Sequence, residues 1–379
     1  MQYALTEEQR LILESAEKFA HEKLDFETRR KRVTEGKAVD RELWAQLADM
    51  GWLGVGIGED RGGFGGTTVE VALIAEVLGR GQLLDPYVMC GVFPLRTLAR
   101  DAGRARPLQD AISGETLIAV AHSETSARAC PSEVRATARS HGGGWILNGR
   151  KTLVAGAREC DAMIVSARNA GETRDVAGVT LFLVDPRTDG VSVEGDVLTD
   201  WSSGADVVLT DVAVGADAVI GTQGAGLELL RPAAEEAIVA LCAEAVGALD
   251  GAIRTTAAYI AERKQFGVPL SSFQALQHRM SDMSIELVTA RSAVIRGLAA
   301  LATAEPEERS AQVSACKAMV TGNLKWATAQ GIQLHGGYGI TEEYPVGHYF
   351  KRLLVIDAFF GRRAHHLARY ADWMRQRAA

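Results

Sequence analysis

Residues 263–274 read R-K-Q-F-G-V-P-L-S-S-F-Q, bringing a guanidinium (Arg263), an amide (Gln265) and an aromatic ring (Phe266) close together. An arginine fork grips paired oxyanions and a ring supports a flat base, so this trio suits a dinucleotide. The competing reading is a helix corner with a surface arginine and a buried phenylalanine. Tyr259 stands four residues before the stretch and Gln277 three after it. Two helices must position the trio. Upstream, residues 243–262 are Ala-rich and carry Val246, Leu249, Ile253, Tyr259 and Ile260 at helical spacing. Gly267 and Pro269 break that pattern, and a second helix restarts near Phe273. The expectation is a helix hairpin with the trio at its corner.

Other patterns exclude more chemistry than they suggest. Residues 221–226 (G-T-Q-G-A-G) and 336–339 (G-G-Y-G) do not fit G-x-G-x-x-G between strand and helix, which speaks against a Rossmann site. Residues 51–66 are Gly-rich, yet no strand precedes them and no Lys-Ser/Thr follows, so they read as a tight connection between helices. No G-x-S-x-G or H-E-x-x-H occurs. His365 and His366 look like an exposed pair, and adjacent helical positions face different ways, so no metal is expected there.

The 379 residues are 47% hydrophobic and 23% charged, enough for two or three domains with substantial cores. A net charge of −7 with dispersed basic residues argues against a nucleic-acid face. Cys90, Cys130, Cys160, Cys242 and Cys316 lie far apart and read as reduced thiols of a cytoplasmic protein. No apolar run approaches the roughly 20 residues of a membrane span, and the acidic N-terminus is unlike a signal peptide.

Pattern along the chain predicts an α+β multi-domain fold. Thr6 and Gln9 form a capping-box pattern before a helix, and helical patterning recurs at 41–50, 69–79 and across 83–112. Short strands are expected at 117–122, 134–138, 145–147, 162–166, 179–184, 191–193 and 207–209, with Asn148-Gly149 as a hairpin turn. Long helices follow over 233–262, 273–302 and 307–333, Pro232 opening the first. The expected domains are an N-terminal helical domain (1–115), a middle β-barrel or sandwich domain (116–222) and a C-terminal helical bundle (223–379).

The 263–274 corner resembles the flavin-binding signature of the acyl-CoA dehydrogenase family, and the similarity runs from Leu5 to about Arg369. The phrases GVPLSSFQALQHR, EEAIVALCAEAVGALD and LHGGYGITEEYPVGHYFKRL are similar to small subunits of heteromeric members that act on dicarboxylic substrates such as pimeloyl-CoA. The resemblance implies FAD as cofactor, an acyl-CoA substrate, an electron-transfer flavoprotein as acceptor and a larger dehydrogenase subunit as partner. It implies that Arg263, Gln265, Phe266, Leu270, Phe273 and Gln274 grip the FAD of a neighbouring subunit. It assigns Gln333, Gly336 and Gly337 to the adenosine and pyrophosphate, where a glycine permits close backbone approach. It assigns Ser123 to the flavin as a hydroxyl kept where the family has Thr, beside Glu124, in a stretch (121–130) that otherwise departs from the family's A-x-x-T-E-P-x-A-G-S-D. In the family's K-x-W-I-T-N, the Trp over the flavin face is here Leu153 and the hydroxyl at its edge is replaced by Ala155.

The family's base is a carboxylate that takes the α-proton of the thioester, and such a base must reach its proton with a suitable pKa. The matching stretch here is 359–362 (F-F-G-R), so Phe360 stands where the family has Glu. The alternative family position falls on Ala237, with Glu235 and Glu236 just before it. Asp357 and Glu236 are the substitute bases to consider, and no catalytic residue is assigned. The expected protein is therefore a small, base-less subunit of a heteromeric acyl-CoA dehydrogenase. An autonomous dehydrogenase, a flavin-dependent oxidase or monooxygenase, and a flavin-free binding protein remain alternatives. Arg128 is a candidate cation for a dicarboxylic tail.

Overall fold

The computed structural model describes residues 5–125, 130–195 and 197–378. In chain order, the helices α1 (Glu7–Lys23), α2 (Phe26–Thr34), α3 (Arg41–Asp49), α4 (Thr68–Arg80), α5 (Phe93–Ala99) and α6 (Ala105–Ile112) come first. The strands β1 (Ile118–Ala121), β2 (Thr137–His141), β3 (Gly144–Ala155), β4 (Ala162–Arg168), β5 (Val179–Val184), β6 (Val191–Glu194), β7 (Gly204–Val214) and β8 (Val219–Ile220) follow. Then come α7 (Gly226–Glu262), the short strands β9 (Lys264–Gln265) and β10 (Val268–Pro269), and α8 (Gln274–Thr303), α9 (Pro306–His335), α10 (Val346–Ala358) and α11 (Arg363–Ala378). The chain thus has N-terminal helices, a middle β domain and a C-terminal helical domain. Among the described residues no helix is long and apolar enough to cross a membrane.

By compactness the chain forms two units, one gathering the described residues of Met1–Gly36, Thr68–Leu83 and Ile238–Ala379. In it, Thr6 opens α1 as the sequence predicts. Its hydroxyl accepts from the Gln9 N–H at 3.2 Å, and the Gln9 amide oxygen accepts from the Thr6 N–H at 3.1 Å. Two glycines let α4 and α7 touch backbone to backbone. A Cβ on Gly247 would lie 1.7 Å from the Glu76 carbonyl oxygen, and one on Gly79 would lie 2.1 Å from that of Glu244. His366 is buried at 1% exposure, which corrects the exposed-looking pair; α11 turns that imidazole inward.

The second unit, Lys37–Thr67 and Leu84–Ala237, holds one hydrogen-bonded sheet of order β6-β7-β3-β2-β4-β5-β8, with β1 parallel to β4. The predicted hairpin turn at Asn148-Gly149 is wrong. Those residues lie inside β3, where the pairing with β7 slips, and Gly149 (φ +150°) is needed because a Cβ would sit 2.5 Å from the Ala136 Cβ. The turn is Gly142-Gly143, both at positive φ, two residues between the paired His141 and Gly144. The helix expected from residue 233 begins at Gly226, so Pro232 lies within it. The Gly-rich 51–66 stretch folds into successive turns, with the Gly56 N–H on the Gly65 carbonyl.

Candidate functional site

The 263–274 corner differs in detail from the expected helix hairpin. α7 stops at Glu262, and β9 and β10 form a minimal antiparallel hairpin before α8 begins. Phe266 (φ +53°) and Gly267 (φ +83°) are its two turn residues, both left-handed, the geometry that matches strand twist in a two-residue loop. The Leu270 N–H donates to the Arg263 carbonyl at 2.8 Å and closes the base of the hairpin. The Phe266 ring is 92% exposed, so the reading with a buried phenylalanine fails. Among the described residues it meets the edge of the Phe273 ring, at 6.2 Å between centroids and 86° between planes. Arg263 is exposed, and among the described residues its guanidinium has no hydrogen-bonding or ionic partner. Gln265 spends its amide on the Lys264 carbonyl at 2.8 Å, while Gln274, the first residue of α8, is exposed. Leu270 and Phe273 are half-buried beneath the turn.

An aromatic cluster joins the other predicted segment to this corner. One turn before Arg263, the Tyr259 ring stacks on His335 at 4.3 Å. Tyr338 and Tyr344 complete the cluster, 4.5 Å from each other. His335 donates from Nδ1 to the Gly331 carbonyl at 2.8 Å, which leaves Nε2 as a buried lone pair without a partner. Burial lowers its pKa, and that hydrogen bond opposes the change. His335 ends α9, and Gly336 (φ +61°) turns the chain out of it, so Gln333, Gly336 and Gly337 are all exposed. A Cβ built on Gly336 or Gly337 meets nothing within 4 Å, so the backbone there is open to close approach. The stack of Tyr259 on His335 thus links the segment of Gln333, Gly336 and Gly337 to the helix end that leads into Arg263. Sequence reasoning missed the linking pair Tyr259–His335, because 76 residues separate them.

Ser123 belongs to the other unit, where its carbonyl accepts from the Thr152 N–H at 2.8 Å. Near it opens a cleft of about 580 Å³, lined among others by Thr125, Arg150, Thr152, Leu153, Glu194 and Asp206. Leu153 is left-handed (φ +54°), because the β3–β7 register slips between Lys151 and Val154. Arg150 is shared by Glu194 at 2.8 Å and Asp206 at 2.9 Å, so this charge is already met. Beneath the cleft Lys151 is fully buried and donates to Glu124 at 2.7 Å and to the Ser166 hydroxyl at 3.0 Å. Burial lowers the Lys151 pKa and Glu124 opposes it. Glu124 also accepts the Arg135 and Ala136 N–H groups, at 2.9 and 3.1 Å, so it is a structural anchor. Arg128 lies outside the described residues.

The carboxylates near the expected base positions are occupied. Phe360 itself is left-handed (φ +57°), the residue after the cap of α10, where a helix end commonly takes that conformation. Asp357 pairs with Lys325 at 2.7 Å. Burial works against its carboxylate, but hydrogen bonds from Lys325 and Thr321 outweigh it and hold its pKa below the ordinary value. Glu236 is gripped by Arg96, at 2.8 Å, and by Arg100. Ala237, at the alternative base position, is buried.

Three protein-family models match the chain in order: the acyl-CoA dehydrogenase N-terminal domain over residues 6–115, the middle domain over 119–212 and the C-terminal domain over 224–374. The chain is 26% identical to a caffeyl-CoA reductase–Etf complex subunit of Acetobacterium woodii, covering 94% of this chain and 95% of that one. It is 26% identical to a benzylmalonyl-CoA dehydrogenase of Aromatoleum aromaticum, covering 93% of each. Among solved structures, a steroid acyl-CoA dehydrogenase named for two gene products superposes with a TM-score of 0.87 at 27% identity, over 98% of this chain and 99% of that one.

Proposed function

Because the chain belongs to the acyl-CoA dehydrogenase family, matched by all three of its domain models, we propose that it is a small, base-less subunit of a heteromeric, FAD-dependent acyl-CoA dehydrogenase. One observation carries this reading. The residues that the nucleotide end of FAD would need at the 263–274 corner are present and exposed, whereas Phe360 stands at the base position and the two candidate substitutes, Asp357 and Glu236, are each tied into ion pairs. A site that faces away from its own chain serves a neighbour.

The residues at the corner fit the nucleotide end. The unpaired Arg263 fork suits a pyrophosphate, the Phe266 ring suits a base, and the backbone at Gly336 and Gly337 is open to a phosphate. Gln265, Leu270, Phe273, Gln274 and Gln333 shape and border the same surface. The ring-side cleft fits less well: Leu153 offers no indole face, Ala155 no hydroxyl, and Arg150 is already paired. Thr125 and Thr152 line the cleft, and Ser123, whose carbonyl accepts the Thr152 N–H, lies beside it as the hydroxyl we assign to the flavin. FAD, when bound, supplies the acceptor for the hydride that leaves the β-carbon. The α-proton needs a carboxylate within reach, and we assign that carboxylate to a larger subunit. This chain's part is to hold the nucleotide end and orient it. The acyl-CoA substrate is read as dicarboxylic, of the pimeloyl class, on the C-terminal phrases and on a relative named for benzylmalonyl-CoA. An electron-transfer flavoprotein as acceptor is supported by a relative named as part of an Etf complex. The five free thiols fit a cytoplasmic setting.

The test is an anaerobic titration with pimeloyl-CoA and with a monocarboxylic acyl-CoA of equal length. It is run on the chain alone and on the chain co-expressed with a larger subunit, following the flavin absorbance. The expected result is bleaching in the complex only. Bleaching by the chain alone would overturn the base-less reading, and equal bleaching by both thioesters would overturn the dicarboxylic one.

A further inference from the structure

Immediately after β1 the chain alternates: Ser123 and Thr125 are exposed, whereas the side chains of His122 and Glu124 reach inward to Ser166 and Lys151. The functional reading uses Ser123 and leaves His122 without a task. Its Nδ1 lies 2.8 Å from the Ser166 hydroxyl of β4, and the same hydroxyl receives the Lys151 Nζ of β3 at 3.0 Å. An ammonium only donates, so the Ser166 oxygen accepts there and its own proton is free for His122 Nδ1. Burial, then the charges of Lys151 and Arg231, push the His122 pKa from 6.5 down to about 3, so the ring is neutral. With Nδ1 accepting, the one ring proton sits on Nε2. The backbone group bonded to this ring is that of Pro131. A proline has no N–H, so the contact is Nε2–H on the Pro131 carbonyl. A chain of donors thus runs one way, from Lys151 through Ser166 and His122 to Pro131. Its start is anchored by Lys151 on Glu124 at 2.7 Å and on the His122 carbonyl at 3.4 Å.

These bonds join two legs of chain, an outgoing one over 122–125 and a returning one over 130–136. Glu124 holds the returning leg at the Arg135 and Ala136 N–H groups, and Arg168 of β4 holds it at the Ser132 and Val134 carbonyls, at 2.8 and 3.2 Å. His122 adds the link at Pro131, directly beside Ser123. On its other side the outgoing leg is tied to β3 by the Ser123 carbonyl on the Thr152 N–H at 2.8 Å. Thr152 precedes the left-handed Leu153, and both line the cleft together with Thr125. An apolar side chain at 122 could fill the same space, but it would break the chain of bonds at both Ser166 and Pro131.

We infer that His122 is a positioning residue for the ring end of FAD: through Nε2–H on Pro131 it holds Ser123 and Thr125 in place beside Thr152 and Leu153. The inference rests on the FAD reading given above, and two variants separate it from simple packing. Gln reaches the place of Nε2 and can donate to Pro131, whereas Asn reaches only the place of Nδ1. The first measurement needs no flavin. Amide hydrogen exchange of the full chain is expected to run about tenfold faster at the Thr152 N–H in His122→Asn, and within about twofold of wild type in His122→Gln. The second follows acyl-CoA turnover by the complex with the larger subunit. There kcat is expected to fall about tenfold in His122→Asn, with KM and FAD retention little changed, and to return to within about threefold in His122→Gln. A packing role alone would lower the melting temperature of both variants and leave kcat of the folded enzyme unmoved. Equal Thr152 exchange in the two variants overturns the clamp, as do nitrogen-15 shifts that place the ring proton on Nδ1. Faster exchange in His122→Asn with unchanged kcat overturns its role toward FAD. A wild-type complex without turnover overturns the FAD reading and this use of it, and Thr152 exchange then still decides the clamp itself.

Discussion

Arg263 makes a prediction of function without stability, because its side chain stands in solvent with no partner among the described residues. Replacing Arg263 with Ala removes a charged hydrogen-bond donor worth about 1.5–3 kcal/mol, so FAD retention in the assembled complex should fall about 10- to 100-fold. The melting temperature of the FAD-free chain should not move, and a large drop would mean that Arg263 is structural. His366 carries the opposite expectation, stability without function. Its imidazole is buried and burial, with Lys317 and then His365 and Arg369 nearby, pushes its pKa from 6.5 down to about 3. Between those values the unfolded chain binds the proton and the folded chain does not. The contribution is therefore complete above about pH 6.5 and shrinks as pH falls, costing about 2 kcal/mol at pH 5. Urea unfolding of wild type and His366→Gln at pH 7.5 and pH 5 checks the sign: the variant should lose less on acidification. Neither the burial of His366 nor the Asp357–Lys325 pair was legible in sequence, since α11 and α9 supply what surrounds them.

Helices and turns explain why some local signals were right and others misled. Asn-Gly between apolar residues is a strong hairpin signal, yet at Asn148-Gly149 the pairing of β3 with both β2 and β7 outweighs it. The strand runs through, and the turn falls to Gly142-Gly143. The hairpin of β9 and β10 shows the converse: Gly267 is where the break was predicted, but two-residue strands are too short to leave a period in the sequence. Gly247 offers a test of helix packing. An added methyl would collide with the α4 backbone, and neither helix can retreat without opening the contact at Gly79. Gly247→Ala should cost about 3 kcal/mol despite its gain in helix propensity. Chemical denaturation measures this, and a neutral or stabilising result would mean that α4 and α7 have slack between them.

Across the whole molecule, the proposed division of labour turns on which residues of the family's site this chain retains. At two positions where its side chains depart from the family's motifs, Leu153 and Phe360, the backbone is left-handed, a conformation that bulky residues seldom adopt. Restoring one group should not restore activity: Phe360→Glu in the isolated chain is expected to leave the flavin unbleached by acyl-CoA, because Leu153 and Ala155 still leave the ring side bare. Bleaching by that single variant would show that the base was the only missing part.

Composition, period and a few fixed spacings were enough to give helices, then strands, then helices, whereas 263–274 was set apart from an ordinary helix corner only by its resemblance to the family's motif. These depend on neighbours within a few turns of the same chain, and helix amphipathicity, strand alternation and glycine breaks are all short-range effects. What needed the folded chain was whether those residues face water or core, and what else reaches them. The 92% exposure of Phe266, the stack of Tyr259 on His335 and the capture of Glu236 by Arg96 join segments dozens to hundreds of residues apart in the case of the pairs, and a lack of covering segments in the case of the ring. Burial and partnership at such positions are set by packing between elements, which no local pattern records.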